Sequence, residues 1–189
     1  DLALVLNADL AVLLAVQRPF HAGQLLGDGL LDIQLHQRGI ASGLGINLGV
    51  GDTGHAEAIR VTFDTDVIGL PQIYDVFLGT HDPTQLNRQG GDIGTQYRSA
   101  IFAQNAEQQK VAQAYIAQLD AAKSFDKPIV TKLESFNGFY PAEEEHQDFL
   151  TEHPTYPYIV INDLPKVAQL KQLYPDRYQE QPVLVKAGR

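Results

Sequence analysis

The chain has 189 residues with no cysteine, methionine or tryptophan, and 23 acidic against 14 basic side chains give a net charge of −9. That length suffices for one domain with a real core. The charge argues against nucleic acid and anionic membranes as partners, leaving a small molecule or a peptide, and without a thiol the chain as it stands has no disulfide, thiolate metal site or thiol catalysis.

Residues 1–50 differ from everything after them. They hold thirteen Leu and seven Gly but no Lys, Glu or Tyr, and Ser42 is their only hydroxyl side chain. The run from Leu2 to Val16 is apolar, but Asn7 and Asp9 interrupt it and no basic segment precedes it. It reads as neither a signal peptide nor a membrane span.

From Gly51 the pattern becomes specific. Gly54-His55-Ala56-Glu57 leads into a segment where Ile59, Val61 and Phe63 face one way and Arg60 and Thr62 the other. That alternation predicts a half-buried strand with a carboxylate near its start. Asp64-Thr65-Asp66 turns the chain, and Leu70-Pro71 opens a helix with Pro in its first turn. Leu70, Ile73, Val76 and Phe77 share its apolar face, and Gly79 is expected to end it. A loop from His81 to Thr95 follows; loops of that length in compact domains are usually functional. It runs into a second alternating strand, Tyr97 to Phe102.

Asn105 is the expected N-cap of the next helix, with Gln108 as capping-box partner and Val111, Tyr115, Leu119 and Ala122 as its buried stripe. A third strand is expected over Ile129 to Phe136, a short acidic helix from Pro141 to His146, a last helix from Asp163 through Leu173, and an extended tail from Pro182 to Val185. No repeat or linker divides the chain, so residues 1–189 form a single α+β domain with helices on one face of a sheet.

Three polar residues stand out in this frame, Glu57, Asp92 and Tyr97, each beside glycines or at a strand end. His146 and His153 lie near Glu143 to Glu145, but no tight ligand spacing occurs and no metal is expected.

Several longer strings agree in order and spacing with one family. They are Gly54 to Ala58, His81-Asp82-Pro83-Thr84-Gln85, Asn87 to Gly90, Asp92, Gly94-Thr95-Gln96-Tyr97-Arg98-Ser99, Pro128 to Thr131, and Phe139 to Glu143 with His146-Gln147. Over residues 51–189 the chain resembles an A-type peptide methionine sulfoxide reductase. The resemblance implies a ferredoxin-like two-layer α+β sandwich with extra C-terminal helices and coil. It also implies a protein-repair enzyme of the oxidative-stress response, which reduces methionine (S)-sulfoxide, free or in oxidised proteins, with thioredoxin as reductant. No cofactor, nucleic acid or membrane is implied, and the protein would be a cytoplasmic monomer.

The reaction needs a thiolate to attack sulfur and an acid to protonate the oxygen. By resemblance Glu57 is the proton donor, Tyr97 hydrogen-bonds the sulfoxide oxygen, Asp92 borders the bound substrate, and His146 lies in the segment that closes the pocket on it. Gly91 stands before Asp92 where the family usually has asparagine. The family's nucleophile belongs to a Gly-Cys-Phe-Trp motif that should fall near Leu13 to Arg18, and its Gly-Tyr-(Ala/Thr)-Gly-Gly loop near Gly45. Neither is present.

Two readings follow. Either residues 1–50 come from another reading frame, joined to the correct one near Gly49 to Gly51, or the chain is a cysteine-free relative that binds methionine sulfoxide without reducing it. On both, the 189 residues as given are inactive, and an unrelated N-terminal segment would leave apolar surface uncovered and the chain prone to aggregate.

Overall fold

The computed structural model describes residues 9–15, 30–36, 54, 56–139, 146–182 and 184. The positions expected for the Gly45 loop, the acidic helix from Pro141 up to residue 145, and residues 183 and 185 of the tail lie outside the described residues, as does His55.

Strands β1 (Asp9–Ala15), β2 (Leu30–His36) and β3 (Ala58–Asp64) precede helix α1 (Leu70–Thr80) and a small hairpin of β4 (Arg88–Gln89) and β5 (Asp92–Ile93). Strand β6 (Ala100–Ala103), helix α2 (Ala106–Ala121) and strand β7 (Lys132–Ser135) follow, then α3 (Phe149–Glu152), a π-helical turn (Ile159–Asp163) and α4 (Leu164–Leu173). The main sheet has the order β2-β3-β1-β6-β7. Strand β1 runs antiparallel to β3 from Asp9↔Asp64 to Ala15↔Ala58, and antiparallel to β6 from Leu13↔Phe102 to Ala15↔Ala100. Thus β3 and β6 run the same way with β1 between them and α1 connecting them, a split βαβ unit. Helix α2 then carries the chain to β7, parallel to β6. This is the expected ferredoxin-like α+β arrangement.

The alternation in β3 is real: Ile59, Val61 and Phe63 are at most 2% exposed, while Arg60 and Thr62 are half-buried. Their face joins Ile73, Tyr74, Phe77, Ile101 and Leu170 in one core under α1, α2 and α4. Burial of each such side chain contributes about 1.5–3 kcal/mol.

Helix α1 buries Tyr74, Leu78 and Thr80 as well as the expected Leu70, Ile73, Val76 and Phe77, because α2 and α4 both pack on it. Gly79 does not end it. The helix runs on to Thr80, and Gly79 is a close-packing position, since a Cβ there would lie 2.7 Å from Tyr174 Oη. In α2 the fully buried residues are Gln108 and Ala112; Ala122, expected in the stripe, is the exposed C-cap.

Two strands are shorter than expected. Tyr97 lies in a 3-10 turn (Thr95–Tyr97) and β6 starts only at Ala100. The Tyr97 N–H donates to Gly94 O (3.0 Å) and the Arg98 N–H to Thr95 O (3.3 Å), which curls the chain before it can pair. Strand β7 starts at Lys132 because the Val130 N–H is drawn aside to Pro83 O (2.8 Å).

Candidate active site

One end of the sheet gathers the start of β3, the start of β6 and the end of β1, with Ala15 paired to Ala58 on one side and to Ala100 on the other. Glu57 immediately precedes that row. Its N–H donates to Gln96 O (2.9 Å), so the backbone of Glu57 is bound to the turn that carries Tyr97. Both residues are half-buried, and the Oε2 atom of Glu57 is buried. Gly94, at φ 149°, opens this turn in a backbone region that L side chains rarely adopt.

Asp92 sits on β5, and β4 packs against the same 3-10 turn. Gly90, at φ 57°, makes the hairpin's tight corner. Asp92 is half-buried, and its Oδ2 accepts a hydrogen bond from Tyr158 Oη (2.8 Å). The C-terminal segment therefore reaches the site through Tyr158, which the sequence motifs did not single out. His146 belongs to that segment; it is half-buried and precedes Gln147, which is 3% exposed.

The loop beyond α1 is firmly held. Asp82 accepts from Thr84 N (2.9 Å), Thr84 Oγ1 (2.6 Å) and Gln85 Nε2 (2.9 Å). Burial raises its pKa, but the hydrogen bonds from Thr84 and Gln85 prevail and hold the carboxyl below its usual range. Gln89 donates to Asp82 O and accepts from Asp82 N, both at 3.2 Å.

Behind the site lies a chain of side chains that sequence did not reveal. His81 Nδ1 is 2.5 Å from Phe77 O, His81 Nε2 is 2.8 Å from Ser99 Oγ, and Ser99 Oγ is 2.7 Å from Thr131 Oγ1. A carbonyl only accepts, so Nδ1 carries the proton. Burial pushes the His81 pKa down to about 4, which leaves the ring neutral and Nε2 an acceptor from Ser99. Thr131 then donates to Ser99. Nearby, Arg98 forms a two-point ion pair with Glu134, Nε to Oε1 and Nη2 to Oε2, both 2.8 Å. This pairing holds the Glu134 carboxyl below its usual range.

A cleft of about 570 Å³ opens on the helical side of this end, lined by His81, Asp82, Lys127 and Lys166 among others. Glu57, Asp92 and Tyr97 are not among its lining residues.

The model of the family described as peptide methionine sulfoxide reductase matches residues 47–178. The chain belongs to that family. A relative named peptide methionine sulfoxide reductase MsrA 2, from Mesorhizobium japonicum, is 58% identical over 139 residues, covering 73% of this chain and 71% of the relative. The reduced form of Mxr1 from Saccharomyces cerevisiae superimposes with a TM-score of 0.68 at 30% identity, over 79% of this chain and 88% of Mxr1. Mxr1 in complex with Trx2 shares the fold at a TM-score of 0.51 and 22% identity, over 74% of this chain and 84% of that one. The chain spans 62% of the length of a relative from Synechocystis and 72% of one from Trichodesmium erythraeum. The family match begins beside the composition break near Gly49 to Gly51.

Proposed function

We propose that the native gene product is a peptide-methionine (S)-S-oxide reductase in which Glu57 is the proton donor, Tyr97 donates a hydrogen bond to the sulfoxide oxygen and Asp92 borders the substrate. The observation that supports this reading is the backbone bond from the Glu57 N–H to Gln96 O, which ties the residue whose carboxyl Oε2 is buried to the turn that carries Tyr97. A carboxyl removed from water keeps its proton more readily and can deliver it to oxygen as the charge shifts; a phenol can bind the same oxygen. A thiol takes the oxygen, becoming a sulfenic acid as the sulfoxide becomes a sulfide, and a second thiol releases water and leaves a disulfide. Thioredoxin as the reductant, a monomeric state and a cytoplasmic setting belong to the same reading, and the solved complex of Mxr1 with Trx2 is in keeping with the first.

The 189 residues contain no cysteine. That observation favours a second reading for the chain as given, a methyl sulfoxide binder without turnover. The DNA encoding residues 1–50, translated in all frames, separates the two. Gly-Cys-Phe-Trp about forty residues before His55 in another frame supports the reductase, and its absence from every frame supports the cysteine-free binder. Calorimetric titration of the 189-residue chain with an N-acetylated methionine sulfoxide amide tests the shared part. Saturable binding is expected, weakened about tenfold in Tyr97→Phe through loss of one hydrogen bond, with no methionine formed when dithiothreitol is present. No affinity of this chain for the sulfoxide would remove the second reading, and inactivity of the native gene product with its cysteine present would sink the first.

A further inference from the structure

We propose that Arg98, anchored by Glu134, is a positioning residue that sets Glu57 and Tyr97 against each other. This rests on the reading that those two residues address one sulfoxide oxygen. The Arg98 side chain is 11% exposed, and its guanidinium touches three segments at once. On β7 it grips both carboxylate oxygens of Glu134 at 2.8 Å; in the turn, Nη1 donates to Thr95 O at 2.9 Å; and Nη2 donates to Gly54 O at 3.3 Å.

Thr95 begins the turn that ends at Tyr97, and Gly54 lies three residues before Glu57. The Glu57 segment is thus tied to the turn twice, through Arg98 at Gly54 and through Gln96 O at Glu57. Two ties at different points fix an orientation, where one would leave a pivot. Glu134 decides which way the fork points, since a two-point carboxylate pair fixes the guanidinium plane. Lysine has the charge but a single tetrahedral head, which cannot hold Glu134 in a planar fork while reaching both carbonyls.

The test uses the full 189-residue chain with Arg98→Lys, Glu134→Gln and, as a remote control, Lys171→Gln, whose partner is the surface Glu180. Three quantities are read: thermal midpoint, calorimetric affinity for an N-acetylated methionine sulfoxide amide, and the NMR resonances of the Tyr97 ring and the Glu57 carboxyl carbon. Arg98→Lys is expected to weaken affinity about tenfold and to displace both resonances together; Glu134→Gln should move them the same way by less, and the control should move neither. A lowered midpoint with affinity and both resonances unchanged would overturn the proposal, leaving Arg98 a stabilising tie alone. If the unsubstituted chain binds no sulfoxide, the reading of the site fails, but the resonances still decide: joint displacement sustains positioning, and its absence refutes it. Should Arg98→Lys not fold, Glu134→Gln carries the same two outcomes.

Discussion

His81 shows how much one side chain can organise here. It joins the end of α1 to the leads of β6 and β7 through Phe77 O, Ser99 and Thr131. Burial lowers its pKa to about 4; the carbonyl of Phe77 and the charge of Asp82 oppose the shift, and Lys166 adds to it. An unfolded histidine titrates near 6.5, so between about 4 and 6.5 the unfolded chain binds a proton that the folded one refuses. Stability from this group is therefore complete above about pH 6.5 and is lost as the pH falls towards 4, by roughly 3 kcal/mol in all. Urea unfolding at stepped pH should show that loss, and His81→Gln should lack it. Equal slopes in the two proteins would refute the assignment. The depressed carboxyls of Asp82 and Glu134 have the other charge type but act in the same direction, losing stability as each is protonated at lower pH. The links from His81 to Ser99, Ser99 to Thr131 and Arg98 to Glu134 could not be read from sequence, because they join residues 18 to 36 apart and hydroxyls and ion pairs leave no periodicity.

Among elements, the periodic ones were legible and the irregular ones were not. The alternation of Ile59, Val61 and Phe63 predicted β3, and helices α1 and α2 fell where the apolar spacing put them. Tyr97 was misplaced in a strand because Tyr97 to Phe102 alternates in composition, whereas the hydrogen bonds to Gly94 and Thr95 determine the local path. The start of α2 was half legible. Asn105 Oδ1 does accept the Gln108 N–H at 2.9 Å, as an N-cap should, but the Gln108 side chain accepts from Gln104 N at 2.8 Å instead of returning to Asn105. The box is shifted by one residue and Gln108 is buried, 1% exposed, where it also fills space. Asn105→Ala should cost about 1 kcal/mol by removing one cap bond, seen as a lower urea midpoint at constant slope. An unchanged midpoint would mean that water replaces the cap at no cost.

For the whole molecule, the sheet depends on a segment that the family match does not include. Strand β1 lies between β3 and β6 and pairs with both, yet the match begins only at residue 47. The sequence Asp9-Leu10-Ala11-Val12-Leu13-Leu14-Ala15 suits that place on general grounds, since it holds no proline or glycine and every residue can join a ladder on either side. Without it, β3 and β6 would each present a row of unpaired backbone groups, and the core of Ile59, Val61 and Phe63 would lose its continuity with Ile101. A chain beginning at Gly51 should therefore keep its helical circular dichroism in part, lose a cooperative thermal transition and elute as aggregates in gel filtration. The full 189 residues should melt cooperatively under the same conditions, against the aggregation that the sequence alone leads one to expect, because β1 occupies the central slot and pairs with both β3 and β6. A truncated chain that stays monodisperse and melts cooperatively would show that β3 and β6 close on each other, and that residues 9–15 are not part of the working sheet.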